Sequence, residues 1–184
     1  MSNYKRSLSS ALLVLALVGA WTLAGCKGKE EFAEPEAFSF VVYPGSQYLG
    51  PLTETTKNAH RALTPGQEPP PIAIYDTDAP VEQVAEFYAT EYGYKDVAPD
   101  ITNNLSAAKP PAYYRGGDLA TDTKAIEELL KKMNLATDVS KAVGTYRAAD
   151  ISPRPNRPRV TVQRPYFDVN TSLVVDRTLI LMSR

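Results

Sequence analysis

Cys26 is the only cysteine of the chain, and it stands where an apolar run gives way to a charged one in "TLAGCKGKEEF" (22–32). The residues before it have the anatomy of an export signal. "MSNYKR" supplies a positive start, "ALLVLALVGA" an apolar centre, and "TLAG" small residues at a cleavage point. Positive charge stays on the cytoplasmic side while the apolar segment enters the membrane, so the remainder is expected outside the cytoplasm. Disulfides are permitted there, yet no second cysteine exists to form one within the chain. Whatever folds after residue 25 must be held by its own core, and the thiol is either idle or used for attachment.

Leu23-Ala24-Gly25-Cys26 resembles the lipobox of bacterial lipoproteins. The resemblance implies cleavage between Gly25 and Cys26, a diacylglycerol on the Cys26 thiol and an acylated new amino terminus. Each buried methylene contributes about 0.8 kcal/mol, and one chain binds only marginally, whereas two or three on one residue anchor durably. The implied partner is the lipid bilayer, reached through acylated Cys26. An uncleaved transmembrane helix over 7–25 competes, being free of charge and near the roughly 20 residues needed to span. Its strongly apolar part is shorter, however, and Gly19, Thr22 and Gly25 dilute its end. An ordinary secretory signal with a stray cysteine is weaker still. Lys27 follows the cysteine where enterobacterial lipoproteins kept in the inner membrane carry Asp, which favours the outer membrane, facing the periplasm.

Residues 26–37 then read as the lipidated cysteine and a charged, solvated tether. The domain is expected over 38–184. "FSFVVYPGS" (38–46) is an apolar, β-rich run whose Pro44-Gly45 suits the centre of a type II turn. The polar, proline-bearing residues 50–71 read as a long loop, and "IAIYDT" (72–77) as a strand. A helix over 79–92 carries Val81, Val84, Tyr88 and Tyr92 on one stripe, with Asp78 as its cap and Gly93 as its stop. "YKDVA" (94–98) and "PAYYRGG" (111–117) are candidate strands. A second helix spans 121–134, capped by Asp122, with Ile126, Leu129, Leu130 and Met133 on one face, and a short helix is expected around 137–143. "RVTVQRPYF" (159–167) alternates with Val160, Val162 and Tyr166 on one face, and "LVVDRTLILM" (173–182) returns as its hairpin partner. The sum is an α+β class: one small domain, an antiparallel sheet packed under one or two helices, with long Pro-rich loops. The helix at 79–92 is expected to cover the hairpin's apolar face.

Catalytic equipment is scarce. His60, the only histidine, reads as an exposed loop residue, so neither a metal centre nor a Ser-His-Asp device is expected, and no cofactor. Phosphate-loop and G-x-S-x-G patterns are absent. Asp76 and Asp78 could serve a hydrolase of envelope polymers, although Asp78 is better read as a cap.

Charge is more informative. Lys5 and Arg6 are the only charges before Cys26, and the remainder carries 18 basic and 21 acidic residues, a net of −3. From Arg147 on, seven Arg face three Asp, so this end is locally basic. Arg154, Arg157, Arg159 and Arg164, interleaved with prolines in "SPRPNRPRVTVQRPYF" (152–167), are candidate contacts for a phosphate- or carboxylate-bearing polymer or an envelope protein, since Arg forks match such groups. The plainer reading is a solvated loop entering an edge strand, with proline and charge blocking edge pairing. Nucleic acid is not expected in that compartment. Tyr113 and Tyr114, ahead of Gly116-Gly117, are the tyrosines most suited to a contact surface; as core or rim they would be ordinary.

"YPG" (43–45), the Asp78–Tyr88 stretch and "RPYFD" (164–168) together resemble elements of small periplasmic lipoproteins, a resemblance that brings no activity with it. The expected function is a non-enzymatic, lipid-anchored binding or assembly module of the cell envelope. An envelope-polymer hydrolase working through carboxylates, or a purely structural envelope protein, is the alternative.

Overall fold

The computed structural model describes residues 40–100, 109–134 and 136–184, so Gly25, Cys26 and the tether lie outside the described residues. The turn at Pro44-Gly45 forms as expected: Ser46 N–H donates to Tyr43 O at 3.2 Å, and Gly45 takes the positive φ of +76° that a type II turn needs at its third position. Residues 41–43 are not a strand, and β1 is only Gln47–Tyr48.

The expected loop after it is instead a helix, α1, Gly50–Leu63, which carries His60. Three threonines explain why its buried face looks polar on paper. Thr53, Thr55 and Thr56 are buried, and each hydroxyl donates to the carbonyl four residues back, at 3.0, 3.0 and 2.9 Å. A threonine whose hydroxyl is satisfied by its own helix packs much as a valine would. Pro51 sits in the first turn, where its missing N–H costs nothing. The start of α1 also extends the sheet edge: Leu49 N–H donates to Ile74 O at 2.8 Å, and Thr53 Oγ1 accepts from Ile74 N–H at 3.1 Å.

β2, Ile72–Thr77, is as expected and wholly buried. α2 runs Val81–Glu91, with Val81, Val84, Ala85, Tyr88 and Ala89 buried. Asp78 does not cap it: the cap position is Pro80, with no side-chain bond, and Asp78 pairs with Arg177 at 2.5 Å. Of 94–98 only Ala98 bridges, in parallel, to Tyr113. β3 is Ala112–Asp118, and α3 is Leu119–Lys132, starting earlier than expected because Asp118, not Asp122, accepts from Thr121 N–H at 2.9 Å. A single 3-10 turn occupies Val139–Lys141.

The C-terminal half supplies β4 (Thr145–Ile151), β5 (Arg159–Arg164), β6 (Tyr166–Asp168), β7 (Leu173–Val175) and β8 (Thr178–Ser183). The expected single hairpin is divided at Pro165 and Asp176-Arg177. β5 and β8 pair antiparallel inside the main sheet, while β6 and β7 form a separate two-stranded ribbon. The main sheet has the order β1-β2-β8-β5-β4-β3, with every neighbouring pair antiparallel. β5 is therefore interior, not an edge.

α2 covers one face, packing Val84 and Tyr88 with Tyr75, Val160, Val162, Ile180 and Met182. This is the covering role expected for the helix at 79–92. α1 and α3 share the other face, where Leu52, Ala59, Ile126 and Leu130 meet Ile74, Ala148 and Leu179. Tyr166 joins this second core rather than that of Val160 and Val162. The domain is α+β, with α2 on one face of the sheet and α3, joined by the unexpected helix of residues 50–63, on the other.

Candidate functional site

The four arginines of the Arg–Pro segment do not form one surface. Pro155 and Asn156, the latter at φ +62°, make a tight turn closed by Arg157 N–H donating to Arg154 O at 2.9 Å. This turn leans on the C-terminus of α2. Tyr92 O–H donates to Pro158 O at 2.9 Å and Tyr94 O–H to Ser152 O at 3.0 Å. The guanidinium of Arg154 lies 4.4 Å from the Tyr94 ring centre and that of Arg157 5.3 Å from Tyr92. Arg159 opens β5, exposed, opposite Ser183, so Arg184 comes to the same end of the sheet and lies 4.8 Å over Phe40. Arg164 is at the far end of β5, bound to Asp176 at 2.8 Å.

Between these groups lies a cavity of about 400 Å³, lined by Phe40, Tyr88, Glu91, Tyr92, Arg157 and Arg184 among others. Two lining rings are held by their hydroxyls: Tyr88 accepts from Tyr43 N–H at 3.0 Å and Tyr92 donates to Pro158 O at 2.9 Å. Burial also pushes the Tyr92 pKa up to about 12 against the pull of Arg157. Charge is not evenly neutralised. Arg115, Arg147 and Arg177 hold Asp150, Glu82 and Asp76 at 2.7, 2.5 and 2.8 Å. Arg157 reaches Glu91 only at 3.6 Å, and Arg154, Arg159 and Arg184 make no ion pair among the described residues. Arg154, Arg159 and Arg184, together with the loosely paired Arg157, thus come to one sheet end, around the cavity, while Arg61, on α1, contacts the Asn58 amide and no carboxylate among the described residues.

Tyr113 and Tyr114 fall on opposite faces of β3. Tyr114 lies beneath Arg147, 4.5 Å from guanidinium to ring centre, while Tyr113 faces the other way beside Lys109. On that second face Arg115 donates to Asp150 at 2.7 Å and to the Tyr146 hydroxyl at 2.8 Å, and Tyr146 O–H donates to Asp122. This is a closed network of mutually satisfied groups. Asp76, the carboxylate a hydrolase would start from, is 4% exposed and held by Arg177 and by Tyr166 O–H at 3.1 Å. Arg177 spans Asp76 and Asp78 together. His60 Nδ1 lies 3.0 Å from Thr64 Oγ1 on α1.

Among the described residues no group of three His, Cys, Asp or Glu could hold a metal ion, and no helix is long and apolar enough to cross a membrane. Comparison with protein families, with curated proteins and with solved structures finds no match. Phe40, Arg184 and the Tyr88–Tyr92 lining escaped the sequence reading. Arg184 alone had a signal: antiparallel pairing of 159–164 with 178–183 brings it beside Arg159.

Proposed function

We propose that this chain is a cell-envelope lipoprotein, anchored through Cys26 to the outer membrane on its periplasmic side, whose α+β domain is a non-enzymatic binding or assembly module. The observation that carries the reading is the cavity beside Phe40, where aromatic rings meet Arg184, without an ion pair among the described residues, and Arg157, held only loosely by Glu91. Such a lining suits recognition of an anionic group attached to an apolar or ring-bearing body. Reaction chemistry has less to build on: the Asp76 carboxylate is buried, with Oδ2 engaged by Arg177 and Tyr166 and Oδ1 enclosed without a hydrogen-bond partner among the described residues. Leu23-Ala24-Gly25-Cys26 supports the anchor.

Two measurements test this. Cys26→Ser should abolish incorporation of labelled fatty acid and leave the precursor uncut; continued labelling and membrane pelleting of the mutant would refute the anchor. Crosslinking in living cells through a photoreactive residue at Asn156, beside the cavity, should trap an envelope component. Trapping nothing above the level of the same probe at Lys124, on the exposed side of α3, would refute the binding role.

A further inference from the structure

We infer that the Arg157–Arg184 cavity takes a phosphate-bearing lipid headgroup from the bilayer that carries the anchor. The inference deepens the binding reading above and rests on it. Three observations converge on this ligand. The first is guanidinium geometry. Arg157 and Arg184 lie against ring faces of Tyr92 and Phe40. Their Cζ atoms are 5.3 and 4.8 Å from the ring centres, neither guanidinium is closed in a short bidentate pair with a carboxylate among the described residues, and guanidinium N–H groups match phosphate oxygens. The one carboxylate on Arg157 among the described residues, Glu91 at 3.6 Å, is a long contact between groups more than a third exposed, which a phosphate displaces readily.

The second is charge placement. Arg154 and Arg159 flank the same sheet end without ion pairs among the described residues, so with Arg157 and Arg184 four arginines stand near the mouth against the one lining carboxylate, Glu91, although the chain as a whole is slightly acidic. The third is position along the chain. Phe40, a wall of the cavity, is 14 residues beyond Cys26. A chain of that length reaches at most about 50 Å fully extended, and as a flexible coil it spans roughly 20 Å. A segment of that length keeps the cavity mouth within reach of the headgroup layer. Anionic wall polymer and acidic protein present similar groups, but neither is brought to the mouth by the anchor itself.

The test uses the lipidated chain purified from membranes, with its Cys26 modification read by intact mass. It is reconstituted in phosphatidylcholine vesicles with and without phosphatidic acid, and hydrogen exchange is followed at 40–43 and 154–159. Phosphatidic acid should slow exchange about fivefold or more at low salt, the factor a single basic residue gives at an anionic surface. High salt should remove the effect. The double variant Arg157→Ala/Arg184→Ala should lose it, and Arg147→Ala, whose partners are Glu82 and Tyr114, should keep it.

Equal exchange in the two vesicle types overturns the inference, as does equal slowing in the double variant. Full protection by soluble glycerol phosphate at matched phosphate concentration overturns the lipid source. Stronger protection by an anionic polymer overturns it in favour of that class. An intact mass without acyl chains refutes the anchor alone; vesicles added to that same protein then show whether the headgroup site stands without it.

Discussion

Gly116 and Gly117 are adjacent in β3, and the structure assigns them opposite sensitivities to the same one-carbon change. A Cβ on Gly116 would make ordinary contacts, 3.7 Å from Tyr146 O and 3.8 Å from Asp100 Oδ2. A Cβ on Gly117 would lie 2.6 Å from Tyr146 Cε1 and closer still to its hydroxyl end, because that ring crosses directly over the glycine. The ring cannot give way freely, since its hydroxyl accepts from Arg115 and donates to Asp122. Forcing extra carbon into a packed site costs about 1–3 kcal/mol. If the ring swings aside instead, two half-buried partners lose a hydrogen bond, at about 1–3 kcal/mol. Gly117→Ala should therefore destabilise by roughly 1–3 kcal/mol, a fall in Tm of about 3–9 °C for a domain of this size. Gly116→Ala should be neutral or stabilise by about 0.5–1 kcal/mol, because glycine inside a strand carries an entropic cost. Thermal and urea unfolding of the mature protein measure both. In a Tyr146→Ala background the penalty at Gly117 should vanish, a coupling that a double-mutant cycle reads directly. Equal tolerance of alanine at the two glycines, or an undiminished penalty in that background, would refute the reasoning.

Other outcomes follow from the two cores and their hydroxyls. Val84→Ala, at a fully buried position where α2 meets the sheet, should cost about 2–3 kcal/mol, and Phe87→Ala, at a half-buried one, less per atom removed; urea midpoints give the comparison. Thr53→Val keeps the shape but strips Ile74 N–H of its acceptor, so it should cost about 1–3 kcal/mol despite adding apolar area; a stabilised variant would show that the hydroxyl is dispensable. Tyr92 and Tyr146 are both pushed by burial to about 12. A phenol whose folded pKa lies above its unfolded value near 10 adds stability that is whole below pH 10 and drains away as pH rises toward 12. Alkaline unfolding should set in across that window with a late, cooperative rise in tyrosinate absorbance, and Tyr92→Phe should flatten the decline; full ionisation near pH 10 with the fold intact would contradict this.

Much of the domain was legible because its determinants are local. Val81, Val84, Tyr88 and Tyr92 repeat at the helical period, Ile72–Thr77 is a compact β-rich run, and Pro44-Gly45 has the φ requirements of one turn type. The α1 helix was not legible. A threonine is polar in any pattern, and only when Thr53, Thr55 and Thr56 return their hydroxyls to carbonyls one turn back does that face become burial-competent. Asp78 and Asp122 show the same limit. Each has the right type and place for a cap, yet Arg177 and Tyr146, distant in sequence, claim them.

The amino-acid order alone determined the α+β class, the apolar stripe of the helix after Asp78, the lipobox-like Cys26 and the basic character of the last forty residues, because each is written in neighbouring side chains. Only the tertiary structure decided which arginines are spent on carboxylates and which remain around the cavity. That division depends on strand register, which sets Arg159 opposite Ser183 and carries Arg164 away to Asp176. Coulomb attraction acts through space over a few ångströms, and the chain does not reveal which charges are that close until it has folded.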